Sequence, residues 1–223
     1  MMRCIQRLYW PLAPEHRRIT QAFGANPADY AAYGLAGHEG IDLGCPVGTP
    51  VCAAHGGQVA VLWAPTSYGT YVQISNESVM TIYAHLSRAL RDGEMVEAGD
   101  LIGYSGNTGR STGPHLHFGA CPLLRDWGNG FKGWIDPEPL LQEGEMDEAK
   151  VEATAVRFEL EEIVRLRKQA LQHYDTAIAE KAMAERCQRQ ADMREEALVS
   201  TKNGKAYRVE GMLGQPLPAG WEG

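Results

Sequence analysis

The sequence predicts a mainly β protein: an antiparallel sheet domain followed by a long C-terminal α-helical segment. Two observations carry that expectation. Between Pro50 and Pro122, short runs rich in Val, Ile, Tyr and Thr alternate with turns built from Gly, Pro, Asn and Ser, as in a meander with one covered face. From about Glu145 to Ser200 there is no Gly or Pro, and Ala, Glu, Arg, Lys and Leu dominate, which suits one long helix or a bent pair. The chain of 223 residues thus divides into an irregular lead-in (1–18), a β domain (19–143), a helical segment (144–200) and a flexible tail (201–223).

Within the β domain, residues 26–36 read as a loop rich in Ala and Tyr, with Pro27 and Gly34. Val51-Cys52-Ala53-Ala54 is a short strand. Gly57 to Trp63 is another, with Val59, Val61 and Trp63 on one face. Tyr71-Val72-Gln73-Ile74-Ser75 and Val79 to Leu86 form a hairpin about Asn76-Glu77-Ser78. Val96 to Asp100 turns into Leu101-Ile102-Gly103-Tyr104. Gly106 to Gly113 holds three glycines with Ser and Thr; it lacks the Lys of a phosphate-binding loop, and no helix follows. It reads as a mobile loop delivering what comes next. Trp127 to Pro139 is loop-like, and the domain is expected to end near Leu141.

In the helical segment, small or apolar residues recur every seven: Ala149, Val156, Ile163, Ala170, Ala177, Ala184, Ala191 and Leu198. Leu160, Val164, Leu171, Tyr174 and Ile178 widen the stripe, whereas Arg167, Lys181 and Gln188 interrupt its second seam position. Two readings stay open: a weak coiled coil that self-associates or docks on a partner through 145–200, or a solvated single helix or partly disordered tail.

Three stretches concentrate chemistry. They are Gly37-His38-Glu39-Gly40-Ile41-Asp42, Tyr83-Ala84-His85-Leu86 and Gly113-Pro114-His115-Leu116-His117-Phe118, with four of the seven histidines. Gly113 and Pro114 disfavour a helix at the last stretch. On a strand, His115 and His117 project from one face about 6.5–7 Å apart, while Leu116 and Phe118 enter a core. Around His38 and Asp42 the glycines argue for a loop running into a strand, able to bend both side chains onto one ion. His, Asp and His are a suitable ligand set for a catalytic zinc with an open fourth position. His85 and one of the pair then remain for acid–base work. Each histidine alone is as well explained by a half-buried hydrogen-bonded role; the coincidence of the three stretches favours one site.

These stretches, in this order, resemble the lysostaphin-type (LytM-like) zinc endopeptidases of metallopeptidase family 23, which cut peptide bonds in bacterial peptidoglycan. The connecting text is similar too, at Gly48-Thr49-Pro50-Val51, Gly56-Gly57-Gln58-Val59, Gly99-Asp100-Leu101-Ile102-Gly103 and Ser105-Gly106-Asn107-Thr108-Gly109. The likeness spans roughly residues 18–122, with Ile19 to Gly24 as the family's short entry strand. It implies a duplicated-hybrid-motif sheet fold and one Zn2+ per chain on His38, Asp42 and His117. It implies His115 as general base, and His85 as oxyanion stabiliser or partner in proton transfer. Loops at the position of 26–36 border the family's substrate groove, so Tyr30 and Tyr33 either stack on substrate or pack the loop against the body. His16 and His55 fall outside the pattern and read as solvated or structural. The implied substrate is a stem-peptide cross-link or cross-bridge. The alternatives are a non-catalytic wall-binding or amidase-activating module, and a tail structural protein docked by its helix.

Composition sets further bounds. The net charge is −7, and no basic patch stands out for nucleic acid. No stretch approaches the roughly 20 apolar residues of a membrane span. Residues 1–20 hold no apolar run of the kind a secretory leader needs, so the expectation is synthesis in the cytoplasm and delivery to the wall as a phage lysin or virion-associated hydrolase. Among the five cysteines, Cys45 and Cys52 flank a turn and either pair across it or serve as small buried hydrophobes. No Cys-x-x-Cys pair suggests a cysteine-built metal site.

Overall fold

The computed structural model describes residues 7–144, 147–199, 201–202 and 205–206. In chain order the elements are β1 (Leu8–Tyr9), β2 (Ile19–Gln21), α1 (Pro27–Tyr30), β3 (Ile41–Gly44), β4 (Pro50–Cys52), β5 (Gly57–Ala64), β6 (Gly69–Ser75) and β7 (Val79–Leu86). They continue with β8 (Arg88–Ala89), β9 (Met95–Val96), β10 (Leu101–Tyr104), β11 (His115–Pro122), β12 (Leu141–Gln142), α2 (Glu148–Val199), β13 (Thr201–Lys202) and β14 (Lys205–Ala206). The chain divides into two compact units, one up to Phe158 and one from Glu159.

The first unit is built on a seven-stranded sheet in the order β2-β3-β11-β7-β6-β5-β9, antiparallel throughout. A smaller antiparallel sheet has the order β4-β10-β8. The period-two pattern explains the main sheet. Leu116, Phe118 and Ala120 of β11 are fully buried, and the Phe118 ring packs on Tyr83 of β7 at 5.2 Å. The hairpin of β6 and β7 turns where expected, because Asn76 Oδ1 accepts the backbone N–H groups of Ser78 and Val79. Val59 is 2% exposed and Trp63 62%, so one face of β5 runs from the core out to solvent.

Two expectations change in detail, and a third is resolved. The lead-in is not wholly irregular: β1, at Leu8–Tyr9, pairs in parallel with β12, and Leu8 and Leu12 are fully buried. That apolar patch is too short for a helix, but it plugs one end of the core. Loop 26–36 opens with the one-turn α1, begun by Pro27, whose fixed φ suits a first helical position. A 3-10 turn over Ala31–Tyr33 follows and stops at Gly34, at φ 67°. Of the two readings for Cys45 and Cys52, the bland one holds: both are buried free thiols. Cys4 lies outside the described residues.

Helix α2 begins in the first unit. Asp147 Oδ1 accepts the Lys150 backbone N–H at 3.0 Å, an N-cap contact. Val151 joins Cys52, Leu90 and Leu101 in a small second core, with Phe158 packed against it. Lys150 Nζ lies 2.8 Å from Asp100 Oδ1. In the second unit, Leu160, Ile163, Val164, Leu171, Tyr174 and Ile178 are exposed. β13 and β14 pair as a short antiparallel hairpin where the sequence led us to expect a flexible tail; residues 207–223 lie outside the described residues. No helix among the described residues is long and apolar enough to cross a membrane.

Candidate active site

The three stretches meet on adjacent strands. Register sets Asp42 of β3 opposite His117 of β11, and His117 opposite Ala84 of β7. His38 reaches the same point from the loop before β3. Its Nε2 lies 3.2 Å from Asp42 Oδ1 and 2.9 Å from His117 Nδ1. His117 Nδ1 lies 3.0 Å from Asp42 Oδ1. Three donor atoms from three buried side chains thus form a small triangle. Around a tetrahedral ion with bonds of about 2.0–2.2 Å, neighbouring donors sit roughly 3.3–3.5 Å apart, so the triangle needs little expansion to take one. His38 Nδ1 donates to the Ala22 carbonyl at 3.2 Å, which turns the Nε2 lone pair toward the cluster, as metal-binding histidines are usually held.

The electrostatics suit a cation. Burial works to raise the pKa of Asp42, but the hydrogen bond from His117 and the close His38 and His117 rings outweigh it and hold the carboxyl well below the usual carboxylate range. His117 is its counterpart: burial opposes charge on the ring, and the Asp42 hydrogen bond and charge raise its pKa. A concentrated negative charge surrounded by imidazole nitrogens and removed from water favours a bound metal.

Two further histidines border the triangle. His115 shares the face of His117; its Nε2 lies 3.6 Å from Asp42 Oδ1. Its Nδ1 donates to the Gly113 carbonyl at 2.7 Å and meets Ser111 Oγ at 3.2 Å. His85 faces it, with ring centroids 4.6 Å apart. The His85 Nδ1 donates to the Thr108 carbonyl at 2.7 Å, and burial pushes its pKa down to about 4. Its backbone has φ 63°, a left-handed conformation rare for a residue with a Cβ. β7 advances from Tyr83 to Leu86 while β6 advances only from Val72 to Thr70. That bulge re-aims the His85 side chain into the site.

The sequence-derived residues fall into one open groove of about 440 Å³. Tyr30 lines it half-buried, its hydroxyl accepting from Gln21 Nε2 at 2.9 Å and its ring 5.4 Å from His38. Burial, with the nearby Asp42 and Glu39 carboxylates, pushes the Tyr30 phenol up to about 12. Tyr33 stands exposed on the rim. His55 is outside the groove and buried, with Nε2 3.0 Å from Thr81 Oγ1, so of its two readings the structural one holds.

Sequence reasoning missed several groove residues. Glu39 is buried, and its Oε1 accepts the Tyr68 hydroxyl at 2.8 Å. The Tyr68 ring stacks on His117 at 5.5 Å. Together they brace the His117 ring within the groove. Glu39 Oε2 and His117 Nε2 are both buried without a hydrogen-bond partner. Arg110, Lys132 and Trp134 also line the groove. Glu39 sits inside the first stretch and was within reach of sequence reading; Tyr68 and Lys132 come from loops with no local signal.

Residues 36–123 match the family model described as Peptidase family M23. Over 103 residues the chain is 41% identical to peptidoglycan DD-endopeptidase ShyA of Vibrio cholerae serotype O1, covering 45% of this chain and 24% of that protein. It is 45% identical over 84 residues to DD-carboxypeptidase/endopeptidase Mpg of Neisseria meningitidis serogroup B, covering 37% of this chain and 20% of that protein. Among solved structures, a zinc-containing peptidase from Vibrio cholerae aligns at 30% identity and TM-score 0.49, covering 59% of this chain and 39% of that one. The chain spans about a quarter of the length of the curated relatives it matches.

Proposed function

Residues 36–123 form a peptidase family M23 domain, and from that premise we propose that this chain is a zinc-dependent endopeptidase hydrolysing peptide bonds in bacterial peptidoglycan. The observation that carries the reading is the His38–Asp42–His117 triangle with His115 and His85 at its open side. A zinc ion on those three residues would lower the pKa of a bound water toward about 7 and polarise the scissile carbonyl.

The remaining chemistry belongs to the two outer histidines. With Nδ1–H given to the Gly113 carbonyl, His115 presents its Nε2 lone pair to the cluster and would serve there as general base toward a water. With Nδ1–H given to the Thr108 carbonyl, neutral His85 likewise presents an acceptor. It therefore shares the proton transfer, and would donate to a developing oxyanion only after gaining a proton. Tyr30 stays a neutral phenol on the groove wall and can donate to the substrate backbone. Docking on a partner through 145–200 rests on the exposed helical stripe of α2.

The test separates metal binding from chemistry. His117→Ala and Asp42→Ala should lose zinc, measured by elemental analysis, and activity with it. His115→Ala should keep near-stoichiometric zinc while cleavage falls by about 10²–10⁴-fold. Near-full cleavage by His115→Ala would overturn its role as base.

A further inference from the structure

Two cations in the groove take no part in the chemistry above. Arg110 and Lys132 both line it, and both are tied to Tyr33. Arg110 Nη1 donates to the Tyr33 hydroxyl at 2.7 Å, and Lys132 Nζ donates to the Tyr33 carbonyl at 2.6 Å. The Arg110 guanidinium also lies 5.4 Å from the centre of the Tyr33 ring. The ion pairs found among the described residues engage other cations, at Arg17, Arg91, Lys150, Arg165 and Arg189. Most donors on the guanidinium and the ammonium are thus unspent, in a chain whose net charge is −7.

Their position ties them to the reaction. The Arg110 backbone N–H donates to the Ser67 carbonyl at 2.8 Å, which fixes where the side chain starts. The next residue, Ser111, touches His115 Nδ1 at 3.2 Å. One guanidinium is therefore anchored a single residue from the support of the base. The groove's buried acids face other groups: Glu39 Oε1 accepts from Tyr68, and Asp42 sits in the histidine triangle. Asp29, on α1, is an exposed acid that also lines the groove.

We propose that Arg110, with Lys132 across Tyr33, forms a carboxylate-binding subsite that selects peptides with a free α-carboxylate on a residue flanking the scissile bond. A planar guanidinium offers a carboxylate two parallel N–H donors, and an uncharged glycine-type bridge gives it nothing to hold. The inference rests on the peptidase reading and deepens it by naming the charge of the substrate.

The experiment uses the zinc-loaded full chain and two synthetic peptides with the same scissile bond. One carries the flanking free carboxylate and the other the corresponding carboxamide. The carboxylate peptide should show a KM about tenfold lower, with similar kcat, and the gap should shrink in high salt. Arg110→Gln should raise KM for the carboxylate peptide alone and erase the preference; Lys132→Gln should erase part of it. Equal KM values for the two peptides with wild-type protein overturn the subsite and leave the peptidase reading standing. So does an Arg110→Gln variant that slows both peptides equally, because Arg110 then only braces Tyr33. Cleavage of neither peptide overturns the peptidase reading, and the subsite with it.

Discussion

Asp42 shows how much one side chain organises. It faces His117 in register, accepts from that imidazole, and lies within reach of two more, His38 and His115. Its identity and spacing were visible in the sequence, because Gly around His38 and Gly-Pro before His115 removed the helical alternatives. What the sequence could not reveal was the tautomer each ring adopts, since the acceptors are backbone carbonyls of Ala22, Thr108 and Gly113, and a carbonyl leaves no mark on residue type. His55 is the same problem in reverse. It sits beside a turn and reads as either solvated or structural, yet it is 1% exposed and bonded on both ring nitrogens. Burial lowers its pKa, against a raising hydrogen bond to Gly56. The folded state therefore keeps the ring neutral where the unfolded chain protonates it, near pH 6.5. Its contribution to stability is full above that pH and is lost as pH falls below it. Unfolding midpoints should drop between pH 7.5 and pH 5.5, and His55→Gln should show a shallower drop. The variant should also be less stable at pH 7.5 by about 1–3 kcal/mol, for the buried partners it leaves unpaired.

At the scale of elements, the site depends on backbones that approach very closely. Gly69, at the start of β6, has φ 64°, and Gly109 has φ 72°. The two pack against each other with Thr108 between them, leaving no room for a Cβ at either. This contact seats the loop from Asn107 to Pro114 against β6, so Thr108 can receive His85 and Arg110 can bond Ser67. From sequence, Gly106 to Gly113 reads as a mobile, glycine-rich connector; two of its glycines, Gly106 and Gly109, serve close packing, a property of the partner segment that no local pattern encodes. Gly69→Ala should strain the backbone and displace Thr108, costing about 1–3 kcal/mol or more. A lower thermal midpoint, with cleavage falling further than stability accounts for, is the expected pair of readings. The β7 bulge is another such feature: strand character from Val79 to Leu86 was legible, but the left-handed turn at His85 was not, because it answers to the pairing with β6.

The whole molecule combines a sheet domain whose pattern is local and a helix whose pattern is not self-explanatory. Alternation and turn chemistry made the strands of residues 50–122 readable, since each strand buries one face against the same core. The parallel pairing of β1 with β12 was unreadable, because the two segments are far apart in sequence and each is only two residues long. The seven-residue stripe of α2 was equally legible as a pattern. In its first turns a different face, Val151 with Ala155 and Phe158, packs on the small second core, while the stripe itself is exposed at Val156 and again from Leu160 to Ile178, so the face that packs is not the one the spacing marked.

The central claim concerns what the sheet domain does with its histidines. Purified peptidoglycan of several cross-link types should be digested with zinc-loaded protein, with and without a chelator, and the fragments weighed by mass spectrometry. The account predicts chelator-sensitive release of peptides cut at one peptide bond, with wall types that expose a carboxylate beside that bond cut fastest. Intact walls of every type, after treatment with protein shown to contain zinc, would contradict it.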